Sequence, residues 1–263
     1  MARKVDPKCT WREIILPPDA LGQLQGVCNQ AKYRRKIYDE WGFSGRFSLG
    51  KGLNVLFCGP PGTGKTLAAE VIAQDLGIDL YRIDLSRVVS KYIGETEKNL
   101  DRIFGAASMA NAILFFDEAD ALFGKRSEVK EAHDRYANIE VGYLLQKMEE
   151  YEGIAILATN LRQNLDDAFI RRLQFIITFP FPDQEYRQRI WEVLFPPQTP
   201  LENDVDFEIL ARKIQLSGGH LKNIALNAAF IAVADSGVIE LRHLQQAAER
   251  EYQKLGRSWS ENL

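Results

Sequence analysis

The chain has 263 residues, 46% of them hydrophobic and 26% charged, which is the make-up of a globular protein with one large domain or two unequal ones. Its 33 Lys and Arg balance 36 Asp and Glu for a formal charge of -3, which argues against a protein built to coat nucleic acid, where one sign dominates. Cys9, Cys28 and Cys58 form no CxxC pair and His133, His220 and His243 are scattered, so neither a disulfide framework nor a zinc cluster is expected and a reducing interior suits the chain.

In chain order, the N-terminus MARKVDPKCTW carries charge with no apolar stretch behind it, unlike a signal peptide. Residues 1–50 read as a polar lead-in, with turn signals at Pro17-Pro18 and between Gly42 and Gly52. Five short runs rich in Ile, Leu, Val and Phe follow, at 54–58, 80–84, 112–117, 154–158 and 175–179. They are largely apolar on both faces, as strands of a parallel sheet covered by helices are. Helical patterns at 65–76, 95–107 and 136–148 alternate with them. The expected fold is therefore α/β, a five-stranded parallel sheet sandwiched by helices over residues 51–182.

The strand signal ends at Phe179-Pro180-Phe181-Pro182. Helical patterns at 184–194, 207–214, 219–234 and 241–255 then predict a small all-helical lid domain over residues 183–263, with Ser217 as a candidate cap of the third helix. The longest mostly apolar run, 224–234 with Asn227 inside it, is about half of the ~20 residues that span a bilayer. No membrane segment is expected, and the cytoplasm is the expected compartment.

The segment Gly59-Pro60-Pro61-Gly62-Thr63-Gly64-Lys65-Thr66 fits GxxxxGK[ST], follows a predicted strand and opens a predicted helix that continues with Leu67. Glycines let backbone N–H groups converge on an anion, and a helix N-terminus adds partial positive charge. Lys65 is the residue to reach the β- and γ-phosphates of a nucleotide, and the Thr66 hydroxyl to ligate Mg²⁺. Downstream, Ile113-Leu114-Phe115-Phe116-Asp117-Glu118-Ala119-Asp120 places carboxylates at the C-terminal tip of a buried strand, where α/β sheets bind ligands. Asp117 is the candidate magnesium ligand and Glu118 the candidate general base. Asp120 reads as an ordinary acid at a helix start.

With these two motifs in place, the chain resembles the AAA+ ATPases, the ring-forming phosphate-loop class, over about residues 10–255. The resemblance implies ATP and Mg²⁺ as ligands, a homo-oligomer of six subunits, and a protein substrate with no nucleic-acid partner. It also implies residue roles. Asn160, in Ile156-Leu157-Ala158-Thr159-Asn160, matches the sensor that orients the lytic water. Arg171 and Arg172, in the stretch LDDAFIRR, match the arginine fingers that a neighbouring subunit supplies; the further Arg of many members is absent, since Leu173-Gln174-Phe175 follows. Lys91, Tyr92 and Ile93, in SKYIGE, resemble an aromatic pore loop that grips extended polypeptide. Residues 124–135 stand where a second pore-facing loop occurs, or form a solvated loop. Gly219-His220-Leu221-Lys222-Asn223-Ile224 resembles the second sensor, with Gly219 and Lys222 toward the nucleotide; a plain surface lysine is the other reading of Lys222. Ile14, Ile15 and Leu16 occupy the place of an adenine-lining lead-in, or simply pack the core.

Several strings, including SKYIGETEKNL, DEADALFGKRSEVKEAHDRYANIE and ILATNLRQNLDDAFIRRL, are similar to a bacterial and archaeal branch associated with phage-tail-like contractile injection systems. This resemblance implies a helper ATPase that recycles or disassembles such a particle. Two other readings of the phosphate loop stand beside it. One is a kinase or an ATPase acting on nucleic acid, disfavoured by the near-neutral charge. The other is a nucleotide-dependent switch or scaffold, disfavoured by the Asp117-Glu118 pair.

Overall fold

The computed structural model describes residues 2–46, 52–88, 94–120, 132–160, 167–203 and 205–258, with side chains of 132–139 and 167–168 outside that description. Contacts divide the chain into two units. The first comprises Met1–Thr10, Pro17–Gly59 and Lys65–Phe179, and the second Trp11–Leu16, Pro60–Gly64 and Pro180–Leu263.

The first unit is built on strands β1 (Ala2–Val5), β2 (Leu53–Cys58), β3 (Leu80–Asp84), β4 (Ile113–Asp117), β5 (Ile154–Thr159) and β6 (Phe175–Thr178). They form one sheet in the order β1-β3-β4-β5-β2-β6. All neighbours are parallel except β1, which pairs antiparallel with β3. Every residue of β2 and β5 is buried, the reason those segments read as continuous apolar runs. Where five strands are expected, the described residues form six. The extra one, ARKV, is short and mostly exposed, and a charged edge strand of that kind carries no hydrophobic pattern to read. The lead-in also contributes helix α1 (Pro18–Arg35), which opens with Pro at its first turn and closes on Lys32, Arg34 and Arg35, as the helix dipole favours.

Helices α2 (Lys65–Leu76), α3 (Glu95–Ala110), α4 (Ala132–Glu150) and the single turn α5 (Asp167–Ile170) complete this unit. Phe104 of α3 packs on Phe116 of β4 and on Tyr151, with ring centroids 5.5 and 5.6 Å apart. Burying each such ring is worth about 2–3 kcal/mol. The Tyr151 hydroxyl donates to the Ala112 carbonyl, which satisfies it inside the core and ties the end of α4 to the start of β4.

The second unit is helical: α6 (Gln184–Leu194), α7 (Phe207–Lys213), α8 (Gly218–Ala234) and α9 (Leu241–Lys254). Asp183 caps α6 by accepting from Tyr186 N, and Asp206 caps α7 by accepting from Glu208 N and Ile209 N. Trp191 is fully buried with Leu210, Leu221, Ile224 and Leu244. Ser217 stands at the N-cap of α8 as expected, but its side chain makes no capping bond. Its Oγ is instead buried without a hydrogen-bond partner.

Candidate active site

The parallel sheet brings three chemistry-bearing strand ends side by side. β5 lies between β2 and β4, so the residue after β5 falls between the phosphate loop and the acidic pair. Gly59 follows β2 with φ +150°, and a Cβ there would collide with the Phe179 carbonyl; only glycine lets the chain turn out of the sheet at this point. Lys65 opens α2, and its Nζ donates to Gly59 O at 2.6 Å and to Asn160 Oδ1 at 2.9 Å. Burial pulls the Lys65 pKa down, and the charges of Asp117 and Asp120 oppose that pull.

Asn160 is held from its other side by Asp120. Its backbone N and its Nδ2 each donate to that carboxylate at 2.8 Å, and the Thr159 hydroxyl donates to it as well. A hydrogen-bonded row thus runs Lys65–Asn160–Asp120–Thr159. Asp120 therefore holds Asn160 in place, a contact its sequence context concealed because its partners lie 39 and 40 positions further on. The signal available in sequence was only the spacing from Asp117.

Asp117 ends β4, half-buried, with Glu118 exposed beyond it. Glu118 adopts φ +56°, a left-handed conformation that costs a non-glycine residue about 1–2 kcal/mol. Its backbone N–H donates to Asp117 Oδ1 at 3.0 Å. Asp117 Oδ2 accepts from Arg82 Nε at 3.0 Å and Arg82 Nη2 at 2.6 Å. The Thr66 hydroxyl and the Asp117 carboxylate are hard oxygen donors of the kind Mg²⁺ takes, usually beside waters and substrate phosphates. Among the described residues no group of three or more His, Cys, Asp or Glu side chains could hold a metal alone.

Residues Pro60–Gly64 group with the helical unit. There Gly62 turns at φ +75°, with Ser217 Oγ 2.5 Å from where a Cβ would stand. The Gly219 N–H donates to Gly62 O at 2.9 Å, and the Thr63 hydroxyl donates to Pro60 O at 2.9 Å. Lys222, on the same helix as Gly219, is exposed. His220 pairs with Glu251 at 2.6 Å, a contact within the helical unit. Ile14 and Leu16 are buried and Ile15 half-buried.

The two arginines differ. Arg172 Nε pairs with Glu149 at 2.9 Å, whereas Arg171 is exposed and has no ion pair among the described residues. Lys91, Tyr92 and Ile93 lie outside the described residues, as do 124–131; residues 132–135 form the first turn of α4.

A glycine turn between a buried strand and a helix, with carboxylates and an asparagine on adjacent strand tips, defines a phosphate-loop nucleotide-binding domain. Residues 55–181 match the family described as "ATPase family associated with various cellular activities (AAA)", and the α/β unit is an AAA-family ATPase domain. An uncharacterized AAA family ATPase of Sinorhizobium fredii is 38% identical over 192 residues, covering 73% of this chain and 56% of that protein. The ATP-dependent zinc metalloprotease FtsH of Lachnoclostridium phytofermentans is 35% identical over 73% of this chain and 35% of its own length. The 26S proteasome regulatory subunit 10B of Dictyostelium discoideum is 30% identical over 89% of this chain and 62% of its own. The chain thus spans 35% to 62% of the length of these relatives. Among the described residues no helix is long and apolar enough to cross a membrane.

Proposed function

We propose that this chain is the motor of a six-membered ring that spends ATP hydrolysis on remodelling, unfolding or taking apart a protein. The row linking Lys65, Asn160 and Asp120, next to the Asp117-Glu118 tip, carries this reading. Backbone N–H groups of the loop from Gly59 to Thr66 hold the phosphates, and Lys65 brings its charge to the transferred phosphoryl group. Mg²⁺, held by Thr66 and Asp117, neutralises phosphate charge when bound. Glu118 accepts a proton from the attacking water as its oxygen bonds to the γ-phosphorus. The bond to the β-bridging oxygen then breaks, releasing ADP and phosphate. Asn160, fixed by Asp120, keeps that water in line.

Arg171 has the exposure that an arginine acting on a neighbouring copy needs, and Arg172, tied to Glu149, holds the segment carrying it. The relatives that are a proteasome regulatory subunit and an ATP-dependent protease support a protein substrate. Tyr92, flanked by Lys91 and Ile93, is the residue to grip it. The strings that resemble the injection-system branch favour a contractile particle as that substrate.

Complementation tests the shared site. Arg171→Ala and Glu118→Gln chains, each inactive alone, recover turnover when mixed, because mixed rings contain sites with both groups intact. Turnover by the unaltered chain also falls per subunit on dilution. Absence of recovery together with dilution-independent turnover overturns the ring.

A further inference from the structure

Arg82 takes no part in the mechanism above, yet it makes the shortest ion pair of the site. It lies on β3 and Asp117 on β4, in a parallel register that sets Arg82 opposite Phe115 and Asp84 opposite Asp117. Side chains alternate along a strand, so Arg82, Asp84 and Asp117 project from one face of the sheet. Asp84 is the nearer acid along the chain, but it accepts from Ser86 N and Ser86 Oγ and pairs with Arg87 Nε at 3.0 Å. On the far side of β3, the residue directly opposite Arg82 is Arg3 of β1, and like charges so placed repel. The guanidinium therefore turns to Asp117, whose side chain is 17% exposed against its own 50%.

A carboxylate offers about four lone pairs, two on each oxygen. Arg82 Nε and Nη2 take both on Oδ2, and the Glu118 N–H takes one on Oδ1. A cation bound directly to Asp117 has one lone pair left unless Arg82 withdraws, and while Arg82 stays the cation meets its positive charge as well.

We propose that Arg82 is a built-in competitor for the metal position of Asp117, setting the Mg²⁺ concentration at which the site accepts metal-nucleotide. This rests on the reading of Asp117 as the magnesium ligand. Arg82 must be displaced or tolerated each time the metal enters, so it weakens apparent metal affinity, as any competing partner of the binding-competent state does. A half-exposed pair of this kind is worth up to about fivefold.

The test titrates Mg²⁺ against the full chain with a fixed amount of a fluorescent ATP analogue, in a Glu118→Gln background so that the analogue survives. Half-saturating Mg²⁺ for analogue binding is expected to fall about threefold to fivefold in Arg82→Gln, with Arg82→Lys between it and the parent. Thermal melting of each variant reports whether β3 and β4 remain joined. A lower melting temperature with unchanged Mg²⁺ dependence makes Arg82 a structural staple and overturns the proposal. A raised Mg²⁺ requirement overturns it too, since Arg82 would then be presenting Asp117 to the metal. If the parent chain retains no analogue at any Mg²⁺ concentration, the nucleotide reading falls and the proposal with it; the Mg²⁺ series separates that failure from the other two.

Discussion

Polar groups are treated in opposite ways by the two units. In the helical unit the buried charged groups are closed away and matched, even though Trp191 Nε1 and Ser217 Oγ are buried without partners. Arg187, 7% exposed, donates to the Ala211 and Pro182 carbonyls. Glu251, 3% exposed, receives Asn223 and Lys254 and pairs with His220. At the strand tips of the α/β unit, the contacts are the kind an incoming ligand can replace. Lys65 rests on a backbone carbonyl and an amide, and Asp117 on a half-exposed arginine. A buried charge with every bond satisfied marks architecture, while a charge resting on exchangeable partners beside open solvent marks chemistry.

This contrast can be broken experimentally. The largest effect is expected from Glu118→Gln, which keeps nucleotide binding but lowers steady-state hydrolysis by about 10²- to 10⁴-fold; phosphate release assays on the purified chain read it directly, and a small change would remove Glu118 from the role of base. Asp120→Ala comes next. It leaves Asn160 without its anchor and should cost about 10- to 100-fold in turnover, with the urea midpoint nearly unmoved. If stability falls and turnover does not, Asp120 belongs with the architectural group.

Glu251→Gln sharpens the other side, with a loss of about 1–2 kcal/mol in urea unfolding and no matching loss of turnover. Its pH dependence follows from the same contacts. Burial alone would raise the Glu251 carboxyl, but His220, Asn223 and Lys254 more than offset that and leave it below its ordinary 4.5. The stability it contributes is therefore present above that ordinary value and is lost as pH falls through the lower folded value. The substituted chain should show a flatter stability curve across the same acid range.

The strands and helices that carry the site were legible because burial on both faces leaves an unbroken apolar run, as in β2 and β5, and because the phosphate loop is contiguous in sequence. β1 was not, since four mostly exposed residues supply no periodicity. The partnerships escaped for a different reason. Nothing near Asp120 announces Asn160, and nothing near Arg82 announces Asp117, 35 positions away. These pairs exist because β3, β4 and β5 are neighbours, and strand order is not written in local spacing. Ser217 shows the limit of a local rule: a good capping residue at the right position whose hydroxyl is buried beside Gly62 and leaves α8 uncapped.

The strand order also has a consequence for how the protein is made. Lys65 and Asn160 stand 95 positions apart, and the strand that delivers Asn160 inserts between two that precede it. A growing polypeptide on the ribosome exposes its glycine loop long before the slot beside it can be filled. The bond between Lys65 and Asn160 therefore forms only after β5 has inserted between β2 and β4.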